Sequence, residues 1–193
     1  MNWNNISIKQ YRELERVISS YNLIDRSVGI LSVVNDKSED YYYNMRVDKL
    51  TEEINKLDFL NEPPKGEMKH KITLDGVEYK LDNNIHKWTA GRYIDYMNTI
   101  TDSPDNFGLL MAILYTPKGK KYGEGYDVLE LVNKFEELCP ITYVLGVSSF
   151  FLTLLQSLTK ATLSSLKKEL RKMKDPLKRK EIEEQIDRMS GLV

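Results

Sequence analysis

The sequence predicts an α+β protein that is mainly helical: a helical body with one β-hairpin, then a long C-terminal helix followed by an antiparallel helix. Three observations point there. Apolar residues recur at three- and four-residue spacing behind helix-capping signals over most of the chain. Between residues 72 and 81 the period switches to two, around Asp75-Gly76. From Pro140 to Asp175 there is no strong helix breaker, with Gly146 the one weak point. The expected division is therefore 1–138, a helical body with the hairpin at about 68–82, and 139–193, the long helix plus a helical return.

Ser7-Ile8-Lys9-Gln10 has the form of a capping box, in which two side chains satisfy each other's free backbone N–H. Ile8, Tyr11, Leu14, Ile18 and Tyr21 follow on one helical face. Leu23 to Val34 reads as a second helix and a third begins at Asp48, with Leu50, Ile54, Leu57 and Leu60 inward. Pro63-Pro64 and Gly66 stop it, because proline lacks the donor and disfavours a helical residue before it.

Asp75-Gly76 is a strong signal for a two-residue hairpin loop. It sets Leu74 opposite Val77 and Ile72 opposite Tyr79, which puts every apolar residue of the pair on one face. A lone hairpin is only marginally stable, so that face must cover helices or extend a partner's sheet.

Helices resume after Thr89, with Tyr93, Tyr96, Met97 and Ile100 in one stripe. Ser103-Pro104 reads as an N-cap with proline in the first turn, opening a helix that Pro117 ends. Residues 118–125 (KGKKYGEG) form a basic loop, and Asp127-Val128-Leu129-Glu130 is a second capping box. Asp175-Pro176 marks a final helix to about Met189, with Ile182, Ile186 and Met189 turned inward.

The 193 residues carry 28 Lys and Arg against 29 Asp and Glu, so a uniformly basic nucleic-acid coat is excluded. One Cys and two His exclude an internal disulfide and most metal layouts, and no cofactor is expected. Met1 to Asn5 lacks the pattern of a secretory leader. Cys139 reads as a buried structural thiol, and the paired acids Glu52-Glu53, Glu136-Glu137 and Glu183-Glu184 point apart on helices. Gly119 to Gly125 lacks the Ser or Thr of a phosphate-binding loop. No catalytic residue is assigned, and an enzyme is the least supported class.

The uncharged run from Ile141 to Thr159 has the length of a membrane span. Thr142, Gly146, Ser149, Thr153, Gln156 and Lys160 nevertheless form a polar stripe along it, which argues for a core helix with Val144, Leu145, Phe151, Leu152, Leu155 and Leu158 inward. From Lys167 to Lys180 eight cations face two acids. Lys167, Arg171, Lys174 and Lys178 share a face that suits phosphates, although a solvated or acid-paired face is the commoner fate of a charge run. Of Tyr41, Tyr42 and Tyr43, at least one must be exposed or in a contact.

Three stretches carry a resemblance: Phe59 to Gly66 (FLNEPPKG), the Asp75-Gly76 hairpin, and Trp88 to Asp95 (WTAGRYID). Together they resemble small proteins encoded in the structural gene blocks of tailed bacteriophages, with crAss-like phages of gut Bacteroidetes nearest. The plan also looks like that of phage tail-assembly chaperones. The resemblance spans about residues 6–160 and implies assembly by contact: a virion or tail component, an internal cargo protein, or a chaperone absent from the finished particle. It implies other phage structural proteins or further copies of the chain as partners, in the host cytoplasm and then the virion. Ile72, Leu74, Val77 and Tyr79 are the expected first interface, and Phe150, Phe151, Leu154 and Leu155 the second, with internal core the alternative for both sets and the expected fate of at least one; nucleic acid at the basic helices ranks behind, and a membrane last.

Overall fold

A computed structural model describes residues 1–20, 23–172, 180, 182–184 and 186–187. The chain is α+β and mainly α, and it divides into two compact units, Met1–Val147 and Ser148–Val193. The boundary falls after Val147 because the first two turns of the long helix bury Ile141, Val144 and Val147 completely.

The first unit opens with a 3-10 turn, Trp3–Asn5, then α1 (Ile8–Ser20) and α2 (Leu23–Asn35). The Ser7–Gln10 box forms in full: the Gln10 amide donates to Ser7 Oγ at 3.2 Å, and the Ser7 amide to Gln10 Oε1 at 3.0 Å. A short helix, α3 (Glu39–Tyr43), is capped by Ser38 and buries Tyr42 while Tyr41 and Tyr43 stay exposed. Helix α4 (Val47–Asn55) ends earlier than the apolar spacing suggests, and Asp58–Asn61 follows as a 3-10 turn.

Strands β1 (Lys71–Leu74) and β2 (Val77–Leu81) pair in the expected register, Leu74 with Val77 and Ile72 with Tyr79. Asp75 and Gly76 both have positive φ, 50° and 73°, as a loop matched to the strand twist requires. Helix α5 (Ala90–Asp102) is capped by Thr89, and α6 (Phe107–Leu114) is buried on nearly every side, as its unbroken apolar sequence demands.

Two expectations need correcting here. The cap of α6 is Asn106, whose side chain accepts the Leu109 amide at 3.1 Å, whereas Ser103 ends α5. Helix α6 also stops at Leu114, before Pro117. Tyr115–Pro117 becomes a third strand, β3, which pairs with β2 in the order β1-β2-β3. The reason is tertiary: the Asp82 amide takes the Leu114 carbonyl at 3.0 Å, and Arg92 takes the carbonyls of Ile113 and Leu114.

Helix α7 (Val128–Leu138) is capped by Asp127, which accepts the amides of Leu129 and Glu130. Its Phe135 packs against Tyr79 and Tyr115, so the apolar face of the sheet lies on α7. Helix α8 (Ile141–Lys172) starts after Pro140, as expected, and runs across the boundary into the second unit. At its start the Ile8 amide donates to the Cys139 carbonyl (3.1 Å) and the Ile141 amide to the Ile6 carbonyl (2.9 Å). The Asp175-Pro176 cap and Met189 lie outside the described residues. Between them in the chain, Ile182 is half-buried and Ile186 buried.

Candidate functional site

The apolar face of the hairpin is covered within the first unit. Ile72, Leu74 and Tyr79 are 3–6% exposed and belong to the core of the first unit, because Phe135 of α7 covers the face expected to meet a partner. Val77, 39% exposed, is the one member of that set at the surface. Strand β3 also occupies the second edge of the hairpin, leaving β1 as the edge on that side of the sheet.

On α8 the expected second set divides. Phe151 is buried and meets Phe150 edge-on at 5.3 Å, while Phe150 and Leu154 are half-buried. The Leu155 side chain lies outside the described residues. Leu152, expected inward, is 57% exposed. Thr142 is buried and its hydroxyl donates to Asn4 Oδ1 at 2.6 Å, but Ser149, Thr153 and Gln156 of the same stripe face water. Lys167 and Arg171 are exposed; Lys174 and Lys178 lie outside the described residues. No helix among the described residues is long and apolar enough to cross a membrane.

The most elaborate polar cluster surrounds Arg92, which sequence reasoning passed over. Thr89 caps α5, so Trp88 and Arg92 stand one turn apart, and the guanidinium lies 4.5 Å from the Trp88 ring. It is 4% exposed. Nε and Nη2 donate to the Ile113 carbonyl at 2.9 and 2.6 Å, and Nη1 to Asp82 Oδ2 at 2.6 Å. Tyr122 covers it from the loop before α7, at 5.2 Å, and donates its hydroxyl to Asp95 at 3.0 Å. Burial lowers the proton affinity of Arg92, and Asp82 opposes that shift. Burial and the Asp95 contact raise the Tyr122 pKa. The donors of Arg92 thus serve the end of α6 and the strand corner, which makes it a structural clasp. The only trace in the sequence is a cation set between aromatics in WTAGRY.

A second feature is an open cleft of about 650 Å³ lined by Trp3, Asn4, Phe59, Pro63, Gly66 and Thr142, among others. Trp3 meets Phe59 edge-on at 5.4 Å and donates Nε1 to the Glu62 carbonyl at 2.8 Å. Below it the chain crosses α8 backbone to backbone. A Cβ built on Gly146 would stand 2.5 Å from the Met68 amide nitrogen, and the Glu67 amide donates to the Thr142 carbonyl at 2.8 Å. Gly146, the apparent weak point of the helix, is what lets the 66–68 segment lie down there.

Cys139 is fully buried, and burial pushes its thiol up to about 12, with Glu136 adding to the shift. At neutral pH such a thiol is not a nucleophile. Among the described residues, no group of three His, Cys, Asp or Glu is placed to hold a metal ion. What the surface does offer is apolar. On α5, Tyr93 (42%) and Ile94 (54%) are exposed beside half-buried Met97, while Arg92, Tyr96 and Thr99 fill the inner face.

No family model matches the chain, and neither a curated protein nor a solved structure shows significant similarity to it.

Proposed function

We propose that the chain is a non-enzymatic structural or assembly protein of a tailed bacteriophage, acting through protein–protein contacts. The observation that carries this reading is the outer face of α5, where Tyr93 and Ile94 stand in water on a helix whose inner face is fully used. That face lies within the Trp88–Asp95 stretch on which the resemblance to phage structural proteins rests. The docking surface so proposed is therefore α5, in place of the hairpin. Tyrosine suits it, giving large contact area for few rotatable bonds.

Light scattering on the purified protein, with and without Ile94→Asp, tests the surface. The reading expects an oligomer, or a complex with a co-expressed structural protein, that Ile94→Asp dissociates while the circular dichroism spectrum stays unchanged. A monomer that also binds none of the co-expressed structural proteins counts against it. Mass spectrometry of purified virions separates a particle component, which is retained, from a tail-assembly chaperone, which is absent.

A further inference from the structure

Helix α8 carries its cations in a line. At 3.6 residues per turn, Lys160, Lys167 and Arg171 fall within about 40° of one another and span about 16 Å of the helix axis. All three are exposed, as are Ser164 between them and Lys168 on the shoulder. With Leu163 these residues line a shallow depression of about 360 Å³. Glu169, the acid of this stretch, lies on the opposite side of the helix by the same geometry. The line continues toward the helix start as Gln156, Thr153 and Ser149, exposed and uncharged.

Several cations of the first unit meet acids: Arg12 with Glu136 at 2.9 Å, Arg92 with Asp82 at 2.6 Å, Lys118 with Glu78 at 3.2 Å and Lys134 with Asp75 at 3.5 Å. Lys160, Lys167, Lys168 and Arg171 pair with no acid among the described residues.

We propose that this face binds the sugar–phosphate backbone of duplex nucleic acid without reading its sequence. A duplex strand presents a charge about every 3.4 Å of axis, so three cations on a 16 Å line meet phosphates at any register. Each contact releases counterions, a gain that isolated carboxylates on a protein surface do not supply, since an exposed ion pair is worth at most about 1 kcal/mol. The line from Ser149 to Arg171 holds no aromatic residue, so it offers no stacking platform for single-stranded bases. This binding is independent of the α5 contact surface.

Fluorescence anisotropy of the full chain with a 30-base-pair duplex tests it. With three to four phosphate contacts, affinity falls about 40- to 150-fold between 50 and 200 mM salt, equally for two unrelated sequences. Arg171→Gln lowers the logarithmic salt slope by about 0.9. The triple variant Lys160→Gln, Lys167→Gln, Arg171→Gln abolishes binding with its melting temperature unchanged, because all three side chains are in water. Binding that survives the triple variant, or that ignores salt, overturns the proposal. Competition by polyglutamate as effective as that by unlabelled duplex also overturns it, and assigns the face to an acidic protein instead.

Discussion

In the first unit a buried cation, Arg92, has its donors taken by two backbone carbonyls and an aspartate, under two aromatic rings; along α8 beyond Ser148, four cations face water with no described acid paired to them. Both regions are helical and both carry Arg and Lys, so residue type does not separate them. Surroundings do. A cation enclosed by protein must have its hydrogen bonds met inside, and it then fixes the elements that meet them. A cation on a solvated helix face fixes nothing and stays available to an outside anion. Positive charge thus serves in one place to hold the fold and in the other stands in water.

The largest expected effect concerns pH, and it belongs to the first unit alone. Cys139 and Tyr96 are buried and neutral, each with its pKa raised to about 12 by burial. The unfolded chain loses these protons nearer pH 9 and 10, so their contribution is whole below pH 9 and is lost as pH rises toward 12. At about 1.4 kcal/mol per pH unit for each group, the loss by pH 12 reaches on the order of 7 kcal/mol. Urea titrations at pH 8, 10 and 11 measure it, and Cys139→Ala moves the onset toward pH 10.

Next in size is Arg92→Leu, which leaves Asp82 and the carbonyls at the end of α6 without their donor and should cost about 3 kcal/mol. The same change at Arg171 should move stability by no more than about 0.5 kcal/mol. Equal losses in the two denaturation curves would erase the distinction between the regions. Gly146→Ala comes third. Alanine favours a helix by about 1 kcal/mol, but here its methyl group meets backbone at 2.5 Å, so a net destabilisation of about 1–2 kcal/mol is expected. Gly91→Ala, with nothing within 4 Å of its added methyl, serves as the control and should stabilise by about 0.5 kcal/mol.

What the sequence made legible was local. The hairpin register follows from a two-residue loop and an alternating pattern, and all of its pairs are found. The Ser7–Gln10 box and the start of α8 after Pro140 are likewise short-range. Position 115 shows the limit: Tyr-Thr-Pro after an apolar helix looks like more helix until Arg92 and Asp82, more than twenty residues upstream, take the last carbonyls. Gly146 reads as a defect until the 66–68 segment is seen lying on it. The hairpin face marks a different limit. Alternation shows which side of a sheet is apolar, but not whether the chain's own helix or another molecule covers it, and here Phe135 does. The candidate surfaces were legible only in part for that reason, since exposure is a property of the assembled unit.

The bridge between Ser7 and Pro140 bears on how the protein is made. Ile6 and Ile8 find their backbone partners at Ile141 and Cys139, so these groups stay unpaired by the bridge until more than 130 further residues have been translated. At roughly 5–20 residues per second, that leaves the nascent chain on the order of ten seconds with its greasy opening segment exposed. Closure of the first unit is therefore a late event on the ribosome, and a transcript cut short before that point yields a polypeptide that cannot shut.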